Sequence, residues 1–412
     1  MLFNFVFFVY ALGYLPYLFL TGRWYKGYGC RLGFFPFRLK ACLYAVSSVW
    51  IHAVSVGEIM AVTGLVSKIK SRWPSYTIVV TTTTKTGYEL AQSKLKDKAI
   101  VIPSPLDFSW VASSFVRLIN PKIYLAAETE IWPNLFHCLY RRKIPIVITN
   151  GRVSDVSYGR YKAIRVLLRK TIEKVSFFCM QSDTDAARII ELGADKDKIL
   201  TVGNIKFDEL PSHQEILVQL PILKDRPVWV AGSTHPGEEE IVLRVFAKHR
   251  DSWGLVIAPR HVDRSEQIVG LVQSRGFKAV RFSQLSPSQD TKDTVIVVDT
   301  IGHLCALYAQ ASLVFVGKSL CVGGGHNIIE PAFYAKPVII GPYMQNFRDV
   351  TALFKTQGAI VQVKDELEFE GQVARLIGDE HLRTQLGQKA YAVVKANQGS
   401  TERTLKILEK WL

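Results

Sequence analysis

Short apolar runs alternate with polar, glycine-containing turns and with amphipathic stretches along nearly the whole chain. Ser48–Ala53 (SVWIHA), Thr77–Val80, Ala99–Ile102, Ile123–Ala126, Pro145–Thr149 and Phe177–Gln181 are rich in β-branched and aromatic residues without strict alternation. That is the pattern of parallel strands buried on both faces. Ile59–Ile69, Tyr161–Glu173 and Ala186–Leu192 carry apolar residues at helical spacing instead. After the mixed, proline-containing stretch Leu210–Arg226 the series restarts with strands at Val228–Ala231, Gly254–Ile257, Val295–Val298, Leu313–Val316 and Val338–Ile340. Helices are predicted over Glu238–His249 and Ile328–Tyr334, and the amphipathic stretch Thr401–Leu412 closes the chain. Strand and helix in alternation predict two α/β domains, 23–210 and 227–412, joined by a linker over 211–226. Each is expected to be a doubly wound, Rossmann-like parallel sheet, with the last helix free to pack back on the first domain. Such sheets bind ligands at the carboxyl ends of their strands, here in a central cleft.

Composition adds a partner and a location. A chain of 412 residues with formal charge +15 points to an acidic partner, either nucleic acid, anionic lipid or a phosphorylated small molecule. Met1–Leu20 is uncharged and almost wholly apolar or aromatic, close to the length that spans a bilayer, so residues 1–22 are expected to be a membrane anchor. Arg23, Lys26, Arg31, Arg38 and Lys40 follow, with no acidic residue before Glu58, which places the main body on the cytoplasmic side. Gly13 and Pro16 leave open an interfacial hairpin in place of a span. The six cysteines are scattered, with no C-x-x-C pair, as in a reduced cytosolic protein. No aromatic-basic motif supports a nucleic-acid binder. Neither G-x-G-x-x-G after the first strand nor a P-loop occurs, which argues against a dinucleotide oxidoreductase and a P-loop kinase.

Candidate chemistry lies just beyond the strands. In Phe315–Pro342 a strand runs into Gly323, Gly324 and Gly325, then His326, Asn327 and a helix carrying Glu330. The glycines would let backbone approach a ligand, and the helix start would face an anion. The competing reading is a capping box of Asn327 and Glu330. Glu58 follows the first strand, where it is either a ligand group or a helix cap. Thr81–Gly87 is a hydroxyl-rich loop that suits a phosphate, a sugar or an N-cap alike. Glu128 and Glu130 flank the end of another strand beside Trp132, as an acid/base pair or as an acidic helix start. Asp183 and Asp185 resemble a metal-binding D-x-D, but their place before a helix favours capping. Lys206, Arg260 and Gly302 are further candidates for holding an anion.

HAVSVGE (52–58), TTTTKTG (81–87), ETEIWPN (128–134), NGRVSD (150–155), GNIKFD (203–208), GSTHPGEE (232–239), APRH (258–261) and GGHNIIEP (324–331), in this order, closely resemble the 3-deoxy-D-manno-octulosonic acid (Kdo) transferases of lipopolysaccharide synthesis. The resemblance runs from the membrane segment to the last helix. It implies a GT-B glycosyltransferase that moves Kdo from CMP-Kdo to a lipid A precursor at the cytoplasmic face of the inner membrane, without metal or other cofactor. It also implies Glu58 as general base, with Glu128, and less so Glu130, and Lys206 as transition-state helpers. The CMP contacts carry over to Pro259 and Arg260, to Gly302, His303 and Leu304, and to Asn327, Ile328, Ile329 and Glu330. His303 stands where the family commonly has glutamate, and Lys318 and Cys321 also depart from its pattern. A UDP-sugar transferase or epimerase of the same architecture, and a silent membrane-anchored nucleotide or glycolipid binder, are the rival readings.

Overall fold

The computed structural model describes residues 4, 8, 28–44, 46–208, 226–285, 294–321 and 323–412. The linker expected over 211–226 lies outside them except for Arg226, as does the membrane segment expected over 1–22 except for Asn4 and Phe8. Among the described residues no helix is long and apolar enough to cross a membrane.

The chain forms two compact units, 1–209 with 398–412, and 210–397. The first is built on strands β1 (Ser48–His52), β2 (Thr77–Thr82), β3 (Ile100–Pro103), β4 (Pro121–Ala127), β5 (Ile146–Gly151), β6 (Phe177–Met180) and β7 (Ile199–Thr201). They form a parallel sheet of order β3-β2-β1-β4-β5-β6-β7. Every residue of β1 is buried, and successive side chains feed opposite cores. Trp50 packs on one face with Val79, Phe115 and Tyr124, whereas Val49 and Ile51 pack on the other with Ile59, Val62 and Ile78. Alternation of this kind with both faces apolar explains why the strands read as unbroken hydrophobic runs.

The second unit repeats the plan with β8 (Val228–Thr234), β9 (Gly254–Pro259), β10 (Lys278–Arg281), β11 (Thr294–Val297), β12 (Leu313–Val316), β13 (Val338–Ile340) and β14 (Val361–Gln362). Their order is β10-β11-β9-β8-β12-β13-β14, again all parallel. In each sheet the strand order reverses beside the first strand, between β1 and β4 and between β8 and β12. Loops leaving those pairs in opposite directions open a crevice at their carboxyl ends.

Two local expectations change. The helix predicted over Tyr161–Glu173 is two helices, Asp155–Ala163 and Arg165–Ile172, broken at Ile164. The strand predicted over Pro145–Thr149 runs on through Asn150 and Gly151 as β5. The helix Ser400–Leu408 packs in the first unit, against the helix Val56–Arg72.

Candidate active site

In the first unit, β1 delivers the chain to Ser55, whose hydroxyl caps the helix Val56–Arg72. Ser55 Oγ accepts from Glu58 N at 3.4 Å and donates to Glu58 Oε1 at 2.8 Å, while Val54 N donates to Oε2 at 2.8 Å. This is a capping box, and it fixes both carboxylate oxygens at the switch point of the sheet. Glu58 is only 6% exposed. Burial pushes its pKa up to about 7; the Glu128 and Glu130 charges add to this, and the bonds from Val54 and Ser55 oppose it. The capping reading of Glu58 holds, and burial beside two carboxylates raises the fixed side chain to near neutrality.

Glu128 and Glu130 arrive from β4, the neighbour of β1 across the switch point. Glu130 is also raised to about 7, first by burial and then by Glu128, with Trp132 pulling it down. Below this trio His52 is buried, with Nδ1 at 2.9 Å from Thr81 Oγ1, and desolvation ahead of the Arg31 charge lowers it to about 3. The rest of ETEIWPN is scaffold. Pro133 opens the helix Pro133–Arg141, whose free amides at Asn134 and Leu135 donate to the buried Asp107 at 3.0 and 2.8 Å. Asp107 has no local motif and is missed by sequence reading.

Lys206 lies on the turn Ile205–Phe207, which follows β7 yet packs against the helix carrying Glu58. Ile205 N donates to Asn150 Oδ1 at 3.1 Å, and Asn150 is tied through Gln181 to Asn204. Asp185 accepts from Val153 N at 2.7 Å and its own N–H donates to the capping Ser182 Oγ, so the second carboxylate of the D-x-D string is spent on structure.

In the second unit the predicted contacts gather along one edge: Pro259 and Arg260 end β9, Gly302, His303 and Leu304 follow β11, and Asn327 to Glu330 follow β12. Arg260 and Glu330 come close enough for the guanidinium to lower the carboxyl, though burial outweighs it and holds the pKa up. Asn327 Nδ2 donates to Glu330 Oε1 at 3.1 Å and Asn327 Oδ1 accepts from Ile329 N at 3.1 Å. The helix is shorter than predicted, Ile329–Phe333. Gly302 has φ 100°, and a Cβ added to it would meet only open space.

Two residues outside the predicted set hold this edge together. Glu238 is fully buried and accepts from His235 N, Lys318 N, Ser319 N and Leu320 N at 2.8–3.0 Å, clamping the β8 and β12 loops to each other. Glu239 takes Arg264 in a two-pronged bond at 2.9 and 3.3 Å. Strained backbone marks both switch points: Glu128 (φ 53°) after β4, and Ser233 (φ 56°) in β8 with Lys318 (φ 58°) after β12, are left-handed non-glycine residues, as is Asn150 (φ 55°) in β5.

The glycine run packs against its own loop. Gly324 and Gly325 do need left-handed backbone, but what approaches them is the protein itself. A Cβ on Gly325 would sit 2.3 Å from Met344 Sδ, and Gly324 N and O are bonded to Gln345 and Asn346. The run's tight contacts with Met344, Gln345 and Asn346 shape the loop.

The family model described as "3-Deoxy-D-manno-octulosonic-acid transferase (kdotransferase)" matches residues 26–209. Over 375 residues the chain is 34% identical to the 3-deoxy-D-manno-octulosonic acid transferase of Haemophilus influenzae, covering 88% of this chain and 87% of the relative. The chain belongs to the Kdo transferase family. The transferase is also 28% identical to the Bordetella pertussis Kdo transferase, covering 95% of this chain and 93% of that one. Its fold is that of the GT-B enzymes: UDP-GlcNAc 2-epimerase of Neisseria meningitidis superposes with a TM-score of 0.60 over 88% of this chain and all of that one, at 12% identity. So low an identity speaks for the fold alone.

Proposed function

We propose that the transferase moves Kdo from CMP-Kdo to a lipid A precursor with inversion, and that Glu58 is the general base. The observation that carries this is a buried carboxylate at the β1/β4 switch point, held through both oxygens and raised to about 7. Such a group is ionised over a useful range yet basic enough to take a proton from a sugar hydroxyl. In this reading the hydroxyl attacks the anomeric carbon of Kdo, its proton passes to Glu58, and the bond to the CMP phosphate breaks on the opposite face. Glu128 positions the acceptor and raises the basicity of Glu58, and Lys206 offers positive charge to developing negative charge. The CMP is held by Pro259, Arg260, Gly302, His303, Leu304 and Asn327–Glu330. A single leaving phosphate meets enough cationic charge for the reading to assign no metal. A formal charge of +15 and the apolar residues 1–22 support work at the inner membrane, on its cytoplasmic side, against an anionic lipid.

The test is transfer from CMP-Kdo to a tetraacylated lipid A precursor, read by product mass, which also counts the sugars added. Glu58→Gln is expected to lower turnover by about 10²- to 10⁴-fold while CMP binding stays unchanged. Wild-type turnover is expected to fall with acidity through about pH 7, as Glu58 becomes protonated. Full turnover in the variant sinks the base assignment; thermal protection by UDP and none by CMP sinks the donor.

A further inference from the structure

The edge of the second unit holds a histidine pair that the predicted nucleotide contacts do not include. His235 leaves β8 and His326 follows β12, and the adjacency of those strands brings their Nε2 atoms to 3.1 Å edge to edge, with ring planes 23° apart and centroids 5.3 Å apart. The ring of His261, after β9, meets His235 edge-on at 5.8 Å. Two nitrogens at that separation share one hydrogen: one ring donates N–H and the other must present a lone pair.

Every other charged group facing the pair from the neighbouring loops is cationic or already spent. Arg260 and Arg264 face it from the β9 loop and Lys318 from the β12 loop. Of the nearby carboxyl groups, Glu238 is taken up by four backbone amides, Glu239 by Arg264, and Glu330, beside Arg260, is raised by burial and bonded by Asn327. Among the described residues no cluster of three His, Cys, Asp or Glu groups could hold a metal ion. What remains is the positive charge of Arg260 and Lys318 beside two imidazoles kept neutral. Burial leads in both, ahead of the surrounding cations, lowering His235 to about 4 and His326 to about 3.

We infer that the His235–His326 pair is an anion contact of the donor site that takes up one proton from solvent when an anionic oxygen group of the donor enters. The balance is simple. A neutral pair, one ring donating to the other, plus one proton becomes an imidazolium donating to a neutral imidazole, and the new charge faces the anion. An entering anion opposes the cationic field that adds to burial in keeping the pair neutral, so protonation and binding favour each other. The anion is the phosphate or the sugar carboxylate of the donor. The inference rests on reading this unit as the nucleotide-binding one.

Calorimetric titration of the full chain with CMP, in buffers of different ionisation enthalpy, counts the protons taken up. Wild type is expected to gain up to one proton per CMP near pH 6, with affinity rising up to about tenfold per pH unit lowered. A non-titrating methyl ester of CMP separates this proton from the ligand's own. Cytidine, which lacks the phosphate, is expected to bind without uptake. His326→Gln and His235→Gln are expected to abolish uptake, and the wild-type count stands should either variant fail to fold. Uptake with free Kdo but not with the CMP ester assigns the pair to the carboxylate. Binding of CMP ester and Kdo with no uptake, or uptake unchanged in both variants, overturns the inference and leaves the nucleotide reading intact. No binding of CMP at any pH overturns both.

Discussion

Three carboxyl groups of the first unit, Glu58, Asp107 and Glu130, are each pushed by burial to about 7, well above an ordinary carboxyl. Their linkage to stability has a definite sign. A folded pKa above the unfolded one means that the folded state binds more protons between the two values. The stabilising contribution is full below the unfolded pKa near 4 and is lost as pH rises through about 7. Glu130→Gln removes one such group, so denaturant melts should show the variant gaining on wild type at about pH 8 and the gain vanishing near pH 4. A constant difference across that range would mean that Glu130 does not titrate as its burial implies. Such environments are only partly legible in a sequence. Glu58 was visible because it follows a strand and a glycine at a helix start. His235 and His326 each sit in a visible motif, GSTHPGEE and GGHNIIEP, but their contact depends on the adjacency of β8 and β12. Asp107, in PLDF, carries no local signal because its partners, Asn134 and Leu135, are a strand and a helix away.

At the level of elements, the strands that the hydrophobic pattern missed are β7, β10 and β14, all at sheet edges. Lys278–Arg281 (KAVR) and Val361–Gln362 have one flank open, so they need no continuous apolar run and show none. The central strands, buried on both sides, were legible for the opposite reason. Side chains that join elements are where single changes should cost most. Glu238→Ala strips four backbone amides of one shared acceptor in a site without access to water. The expected cost is roughly 2–4 kcal/mol of stability, since each buried unpaired donor costs about 1–3 kcal/mol and the loop can relax to recover some of them. CMP affinity should fall with it, because Lys318 is placed by the same carboxylate. Melting temperature and CMP binding together check this; a stable variant that binds CMP normally would show that the loops hold without the clamp.

Across the whole molecule, the chain's last fifteen residues, 398–412, belong to the first unit although they follow the second. Asp208, at the end of GNIKFD, accepts from Gly399 N and Thr401 N at 2.6 Å each and so caps the helix Ser400–Leu408. Arg403 Nε donates to Val202 O at 2.9 Å. Leu405 and Leu408 are buried in the same core as Ile59, Val62, Val202 and Ile205. The surface pairs of Lys68 and Arg72 with Glu402 and Glu409 add little, being exposed. The apolar contacts decide the matter: two buried leucines are worth about 3–6 kcal/mol together. This helix therefore braces both the helix that carries Glu58 and the turn that carries Lys206, from a distance in sequence that no local pattern reports. Truncation after Asn397 is expected to lower the melting temperature of the first unit and to raise hydrogen exchange in Val56–Arg72 and Ile205–Phe207. Transfer should be lost while CMP binding, which the proposed function assigns to the second unit, persists. Asp208→Ala should give the same pattern more mildly, about 1 kcal/mol for a lost cap. If truncation instead weakened CMP binding and left exchange in Val56–Arg72 unchanged, the last helix would belong functionally to the second unit, and the bracing of Glu58 would have to come from the cap at Ser55 alone.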